Sequence, residues 1–429
     1  MAARDRLKAA TQQVVVRALT TVERVRTGVA FNPLDKRFQA DPYPTYRRLL
    51  AKDPFHRSAL VGGAVISRHR DISALLRDGR FLVDNRKLPN WEKLRADAVR
   101  QGAMSPEDAD VRPMLVLDPP DHTRLRSLVN RAFTPRTVES LRPRVESIVE
   151  ERLDAAAKAG RMDVIRELAY PLPVIVIAEM LGIPAEDREQ FKAWSDEVVR
   201  SLGLGSIDDM RRSNKAANEL REYFAGIVEE RRREPREDLL SALVAAEQDG
   251  DKLSLGEVFQ MAILLLVAGN ETTTNLIGNG LLALLRHPEQ YHALRDDPSL
   301  VGTAVEELLR YDSPVQMTSR FPLADVDLGE GRVAKGGQQV ILLLGAANHD
   351  PDEYAEPWRL DLTRQDNRHL SFSNGIHYCL GAPLARLEGA VALAAMAQRF
   401  PDMRLATDRL QWGDNIILRG VRALPVTLA

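Results

Sequence analysis

The sequence predicts a mainly α (α+β) fold, rich in helices with a few small β-sheets, and three features predict it. Apolar residues recur at helical spacing along most of the chain. Strand signals are few and short. One segment near the middle reads as an unusually long helix, apolar through much of its length. At 429 residues the chain exceeds the size at which one core usually stops growing, yet no Pro/Gly/Ser-rich linker divides it. We therefore expect one large domain over 31–429, built around something bulky, and a helical extension over 1–30.

The extension comes first. Leu7, Ala10, Val14, Ala18, Val22, Val25 and Val29 recur at spacings of three and four, with Arg4, Arg6, Lys8, Arg17, Arg24 and Arg26 around them. This reads as an amphipathic helix whose apolar stripe docks on the body of the protein. Its basic polar face also suits a helix that makes peripheral contact with a membrane or docks a partner. From Phe31 onward, helical periodicity marks Pro44 to Ala51, Asp71 to Leu76, Arg124 to Ala132, Pro143 to Ala157, Leu172 to Leu181, Asp187 to Val199, Asp209 to Arg232 and Asp238 to Gln248. The better strand signals are Ala64 to Ser67, Gln316 to Arg320, Gln339 to Leu344 and Arg422 to Leu428.

The long helix has a capping box at its start, Ser254 with Glu257, and Pro288 ends it after Arg286 and His287. That is about thirty residues, on the order of 45 Å. Its middle, Met261 to Ala268, is apolar all round, which predicts burial on every side. Ala268-Gly269-Asn270-Glu271-Thr272 then breaks the pattern. A carboxylate there is costly to bury, glycine loses about 1 kcal/mol of helix propensity against alanine, and Thr272 can bond back to the carbonyl of Ala268. Unfavourable choices gathered inside a strong helix tend to mark functional sites. A polar break packed on other polar groups is the plainer alternative.

The second constellation is Phe372-Ser373-Asn374-Gly375-Ile376-His377-Tyr378-Cys379-Leu380-Gly381. A helical pattern through Leu384, Leu387, Val391 and Met396 follows it. Cys379 therefore sits where a Gly-containing loop enters a helix, a place whose free N–H groups lower a thiol pKa. A thiolate can be a nucleophile or a soft metal ligand. A lone cysteine is more often a small buried hydrophobe, and His377 is poorly placed to partner a nucleophile.

Composition bounds the rest. A net charge of −2 gives no argument for nucleic acid. One cysteine excludes an internal disulfide or a CxxC site and suits a reducing, cytoplasmic setting. No apolar run reaches the roughly 20 residues of a transmembrane anchor. Gly203-Leu204-Gly205 and His69-Arg70-Asp71 mimic nucleotide motifs but lack the accompanying residues.

The cysteine loop resembles the haem-binding signature of the cytochromes P450, Phe-x-x-Gly-x-His-x-Cys-x-Gly, in register at Phe372, Gly375, His377, Cys379 and Gly381. Ala268 to Thr272 resembles the family's oxygen-activation motif. Glu307 and Arg310 resemble its Glu-x-x-Arg motif, and Pro357-Trp358-Arg359 the segment whose arginine completes a buried Glu-Arg-Arg cluster. Asp118 to Arg126 resembles a helix start of soluble bacterial members. Two departures stand out: Ser373 replaces a frequent glycine, and Asn270 replaces a small or apolar residue, where it would add a polar contact over the haem.

The resemblance implies heme b (iron protoporphyrin IX) with Cys379 as its thiolate metal ligand. It implies Phe372 packing on the cysteine side, Ala268 and Gly269 lying against the haem, and His122, Arg126, Arg320 and His377 binding its propionates. Glu271 and Thr272 would relay protons during oxygen activation. The implied enzyme is a monooxygenase that inserts one oxygen atom from O2 into an apolar small-molecule substrate. Its implied electron donors are a ferredoxin and a ferredoxin reductase, with Arg124, Arg131 and Arg136 near the docking face. A peroxide-using enzyme, a haem sensor and a non-haem protein with a buried cysteine are the rival readings. Candidate pocket segments are Phe81 to Met114, Leu264 to Ala268, Val315 to Thr318 and Asn415 to Ile417.

Overall fold

A computed structural model describes residues 2–100, 113–199, 207–248 and 251–428. The chain opens with α1 (Ala2–Thr27), α2 (Lys36–Ala40) and α3 (Tyr43–Lys52), the hairpin β1 (Phe55–Ser58) and β2 (Gly63–Ile66), then α4 (His69–Leu75), β3 (Phe81–Leu82) and α5 (Trp91–Arg100). Next come α6 (Asp121–Ala132), α7 (Pro135–Glu139), α8 (Arg142–Ala159), β4 (Arg161–Asp163), α9 (Pro171–Met180), α10 (Arg188–Val199), α11 (Ile207–Arg233) and α12 (Leu239–Ala245). A short pair, β5 (Glu247–Gln248) and β6 (Asp251–Lys252), precedes α13 (Leu255–Arg286), α14 (Pro288–Asp296) and α15 (Val301–Tyr311). The last part holds β7 (Thr318–Pro322), β8 (Val326–Asp327), β9 (Val333–Ala334), β10 (Val340–Leu342), α16 (Leu344–Ala347), α17 (Ala382–Arg399), β11 (Arg404–Leu405) and β12 (Pro425–Thr427).

Most expected helices form within a residue or two of their sequence bounds. The capping box is complete: Ser254 Oγ accepts from Glu257 N at 3.2 Å, and a Glu257 carboxylate oxygen accepts from Ser254 N at 2.8 Å. The helix expected over Asp238 to Gln248 stops at Ala245, and Glu247 and Gln248 turn into a hairpin with Asp251 and Lys252. Asp249-Gly250 lies between them, the dipeptide that two-residue hairpin loops prefer. β10 ends at Leu342 because α16 begins at Leu344. Gly203 to Gly205 and part of the Phe81 to Met114 segment lie outside the described residues.

The larger sheet has the order β1-β2-β10-β7-β3, with β10 parallel to β2 and the other neighbours antiparallel. A smaller antiparallel sheet, β11-β12-β4, pairs the last strands of the chain with the strand that follows α8. The main core gathers α8, α9, α11, α15 and α17 around α13, with Leu153, Ile177, Phe224, Leu266, Ile277, Leu308 and Leu393 all buried. Burying one such aliphatic side chain contributes about 1.5–3 kcal/mol.

Two burial expectations fail. Within Met261 to Ala268, Ile263, Leu264 and Leu265 are half-buried and Ala268 is exposed. Leu264, Ala268 and the half-buried Thr272 stand one turn apart, so this strip of the helix is left open by its neighbours. In α1 the apolar stripe is not docked: Val14, Ala18, Val22 and Val25 face solvent, as does Val15 beside them, while Val29, past the end of the helix, is buried as expected. Glu23, buried on the other side, fastens the helix instead. Its carboxylate accepts from Phe31 N, Ser58 Oγ and Ala59 N and faces His56 Nε2 at 3.2 Å. One buried carboxylate with that many partners outweighs four valines that find no facing surface.

Candidate functional site

The cysteine loop is held by its own backbone. Gly375 has φ +72°, and a Cβ there would lie 2.4 Å from the carbonyl of Leu76, so only glycine lets the loop pass α4. Ser373 has φ +65°, the conformation in which glycine carries no Cβ penalty. That explains why a glycine is the more usual choice there. Cys379 N donates to the carbonyl of Phe372 at 3.0 Å, closing the loop three residues before α17 begins. Phe372 is buried, with the Arg386 guanidinium 4.6 Å above its ring.

The Cys379 thiol is half-buried by the packing around it. Burial pushes it up, opposing the expectation of a lowered value. The N–H groups of Gly381 and Ala382 and the charges of Arg126 and Arg386 pull it back without winning. The loop-to-helix argument holds in kind, but desolvation is the larger effect. A cation on the sulfur would reverse it, since a metal-bound thiol gives up its proton.

Four donors converge beside this cysteine. The His122 and His377 rings lie 4.3 Å apart, tilted at 52°, and His122 Nδ1 and His377 Nε2 are buried without a hydrogen-bond partner. Burial, then His122, Arg320 and Arg126, push His377 down to about 3. Burial pulls Arg320 down to about 10, and burial also lowers Arg126, which faces Cys379. Arg320 reaches only Thr318 Oγ1 and the Ser319 carbonyl. Among the described residues neither arginine has an acidic ion-pair partner. Buried cations normally have one, so this cluster fits a group that brings its own negative charges, as haem propionates do.

The strip on α13 faces differently. Thr272 Oγ1 donates to the Ala268 carbonyl at 2.7 Å, as expected, and the helix continues unbroken. Glu271 is pushed up to about 7 by burial, and its Oε2 has no partner. Gly269 is accounted for by packing, because a Cβ there would meet Ile177 Cδ1 of α9 at 2.5 Å. Asn270 points away from the strip: it is buried and bonds Tyr170, whose hydroxyl donates to Asp196 of α10. The expected polar contact over the haem is therefore absent from Asn270. Two residues on from Ala268, it lies about 200° round the helix, on the side away from the open strip.

Sequence reading placed the third member of the charged cluster wrongly. Glu307 and Arg310 are fully buried and bonded at 2.7 and 2.8 Å, and Glu307 also accepts from Asp361 N, Arg364 Nε and Asn367 Nδ2. Arg359 is largely exposed and pairs with Glu356; only its carbonyl joins, accepting from Arg310. Arg124 likewise is not a free docking charge, for it pairs with Glu257. Sequence reading missed Glu306, which burial would raise but which Arg386 and His369 hold at about 2. It also missed Glu388, buried and pushed up to about 8 by desolvation. The only available signals were a second glutamate beside Glu307 and a charged residue inside an apolar helical pattern. Of the pocket segments, Val315 bridges to Leu418, and Gln316 N donates to the Ile417 carbonyl, so two of them meet.

Comparison with known proteins follows the same lines. The family model "Cytochrome P450" matches residues 96–402. The polyketide biosynthesis cytochrome P450 PksS of Bacillus subtilis is 43% identical over 408 residues, covering 93% of this chain and 98% of its own. Its solved structure superposes with a TM-score of 0.85, covering 93% of this chain and 100% of that one. Vitamin D(3) 25-hydroxylase of Pseudonocardia autotrophica is 44% identical, over 91% of this chain and 94% of its own. P450BioI, solved with an acyl carrier protein ligated to hexadec-9Z-enoic acid, has a TM-score of 0.82 at 39% identity, over 92% and 99% of the two chains.

Proposed function

The chain belongs to the cytochrome P450 family, and from that premise we propose that Cys379 ligates the iron, that His122, Arg126, Arg320 and His377 bind the propionates, and that Glu271 and Thr272 manage protons. Membership makes the protein a monooxygenase with haem as its cofactor, served by an external redox partner. When bound, haem supplies the reductive activation of dioxygen that puts one oxygen atom into substrate and releases the other as water.

The chain's own residues do the rest. The Phe372–Cys379 backbone bond and the N–H groups of Gly381 and Ala382 fix the sulfur and temper its basicity. The paired histidines and arginines orient the cofactor by charge-assisted bonds. Glu271, at about 7, can hold or release a proton near neutral pH. Thr272 keeps its hydroxyl on the Ala268 carbonyl, at the open strip of the helix. The observation that carries this reading is the convergence, beside the sole cysteine, of two buried histidine nitrogens without partners and two arginines without an acidic ion-pair partner among the described residues. The reduced carbon-monoxide absorption tests it: wild type should give the thiolate form, and Cys379→Ala should lose it. A Cys379→Ala protein that kept that absorption would overturn the assignment.

The substrate is a bulky apolar small molecule of polyketide or steroid size. The Leu264–Ala268 strip and the joined Val315 and Leu418 segments support this, as do relatives named for polyketide biosynthesis and for vitamin D(3) hydroxylation. The electron donor is a ferredoxin with its ferredoxin reductase, in the cytoplasm. Ile376 and Tyr378 are exposed on the cysteine loop, and the exposed Arg131 and Arg136 lie on the neighbouring helices. An apolar centre with a basic rim suits an acidic protein. Thr272→Ala separates this reading from a peroxide-driven one: electron consumption should uncouple from product, and unchanged coupling would favour the peroxide route.

A further inference from the structure

The first helix is unused by the chemistry. At 100° per residue, Val14, Ala18, Val22 and Val25 fall within an arc of about 80°, and the four valines and alanines there are exposed, Val25 by 83%. Arg17 and Arg24, both exposed, border one edge of the stripe. Arg26, whose Nη2 reaches the Arg57 carbonyl, borders the other. The hold on the body is on the opposite side, through Glu23 and its bonds to Phe31, Ser58 and Ala59. Glu23 is the sole acid of residues 14–27, and it is turned inward. The sequence of the helix carries six basic residues and two acidic ones, in a chain whose net charge is −2.

We propose that α1 lies flat on an anionic lipid surface, its valine stripe in the acyl boundary and its arginines among the headgroup phosphates. No helix among the described residues is long and apolar enough to cross a membrane, so the contact is peripheral. A straight aliphatic stripe with cations on both edges matches a planar apolar layer beneath a layer of negative charge. A second copy of the chain would set arginine against arginine. With small side chains and no lipid tail, binding is reversible and depends on charge as much as on apolar contact.

Sedimentation of the full-length holoprotein with vesicles tests this. With about a third phosphatidylglycerol the protein should pellet at low salt, and about 0.5 M salt should release it. Pure phosphatidylcholine should retain little. Val22→Asp/Val25→Asp and Arg17→Glu/Arg24→Glu should each lower the bound fraction about tenfold, with the reduced carbon-monoxide absorption unchanged as proof of an intact site. Failure of the wild type to pellet would overturn the proposal, as would valine variants that pellet like wild type. A wild-type dimer that the valine variants convert to monomer would also overturn it, by making the stripe a self-interface.

Discussion

Two of the charge clusters among the described residues are built on opposite principles. Around Glu307 every charge is met: Arg310, Arg364, Asn367 and the backbone of Asp361 share its two oxygens, and Arg310 spends its other donors on the carbonyls of Asn348, Pro357 and Arg359. Around Arg320 no carboxylate among the described residues forms an ion pair: Asp118 acts on it only from beyond bonding distance, while two histidine nitrogens and two guanidiniums share one space. The first cluster is complete without a ligand and so serves the fold. The second is incomplete, and its missing anion is what the proposed cofactor brings. Satisfaction, rather than burial or charge, separates the two.

Breaking the complete cluster should cost most. Glu307→Gln leaves two buried guanidiniums short of their anion, and we expect a loss of about 3–5 kcal/mol in denaturant unfolding. Arg364→Ala should cost about 2–3 kcal/mol by the same argument, whereas exposed Arg359→Ala should stay within about 0.5 kcal/mol. An equal effect of the two arginines would erase the distinction drawn from the geometry.

The incomplete cluster should behave the other way. Arg320→Met should leave the apoprotein as stable as before or more so, while weakening haem retention by about tenfold in competition with a haem scavenger. A destabilised apoprotein would mean that Arg320 has a structural partner after all.

Glu271 adds a pH test. Its folded value, about 7, lies above the ordinary carboxylate value of 4.5, so the unfolded chain releases this proton first. Its contribution therefore turns unfavourable as pH rises from about 4.5 through 7. Glu271→Gln should match wild type in unfolding free energy near pH 4.5 and exceed it above pH 7, by on the order of 2 kcal/mol in denaturant unfolding. A difference that does not change with pH would argue against the raised value. The smallest effect is expected at Ser373, where glycine should stabilise by about 0.5–1 kcal/mol in thermal unfolding by relieving the left-handed backbone.

What could be read in the sequence divides along the same line as these clusters. The Ser254–Glu257 cap and the Gly375 turn are decided within a few residues, and their geometry follows from residue type alone. Arg364 was missed because Arg359 and Arg364 look alike in sequence, and only the position of Glu307, on a distant helix, selects between them. Periodicity located the valine stripe of α1 but carries no information about what covers it. The thiol of Cys379 was misjudged in sign because a helix start is visible in sequence and desolvation is not. Asn270 and Glu388 each needed the packing of a second helix to acquire a meaning.

The small sheet that pairs β4 with β12 sets the timetable of assembly. Asp163 accepts from the backbone of Leu424, 261 residues further on, and β4 pairs with β12 throughout its length. At about 5–20 residues per second the first strand waits roughly 15–50 s for the second to emerge from the ribosome. Until then β4 lacks the one strand that pairs with it. The growing chain is thus exposed to aggregation for most of its synthesis, and shielding by chaperones matters more here than in a fold whose neighbours in space are neighbours in sequence.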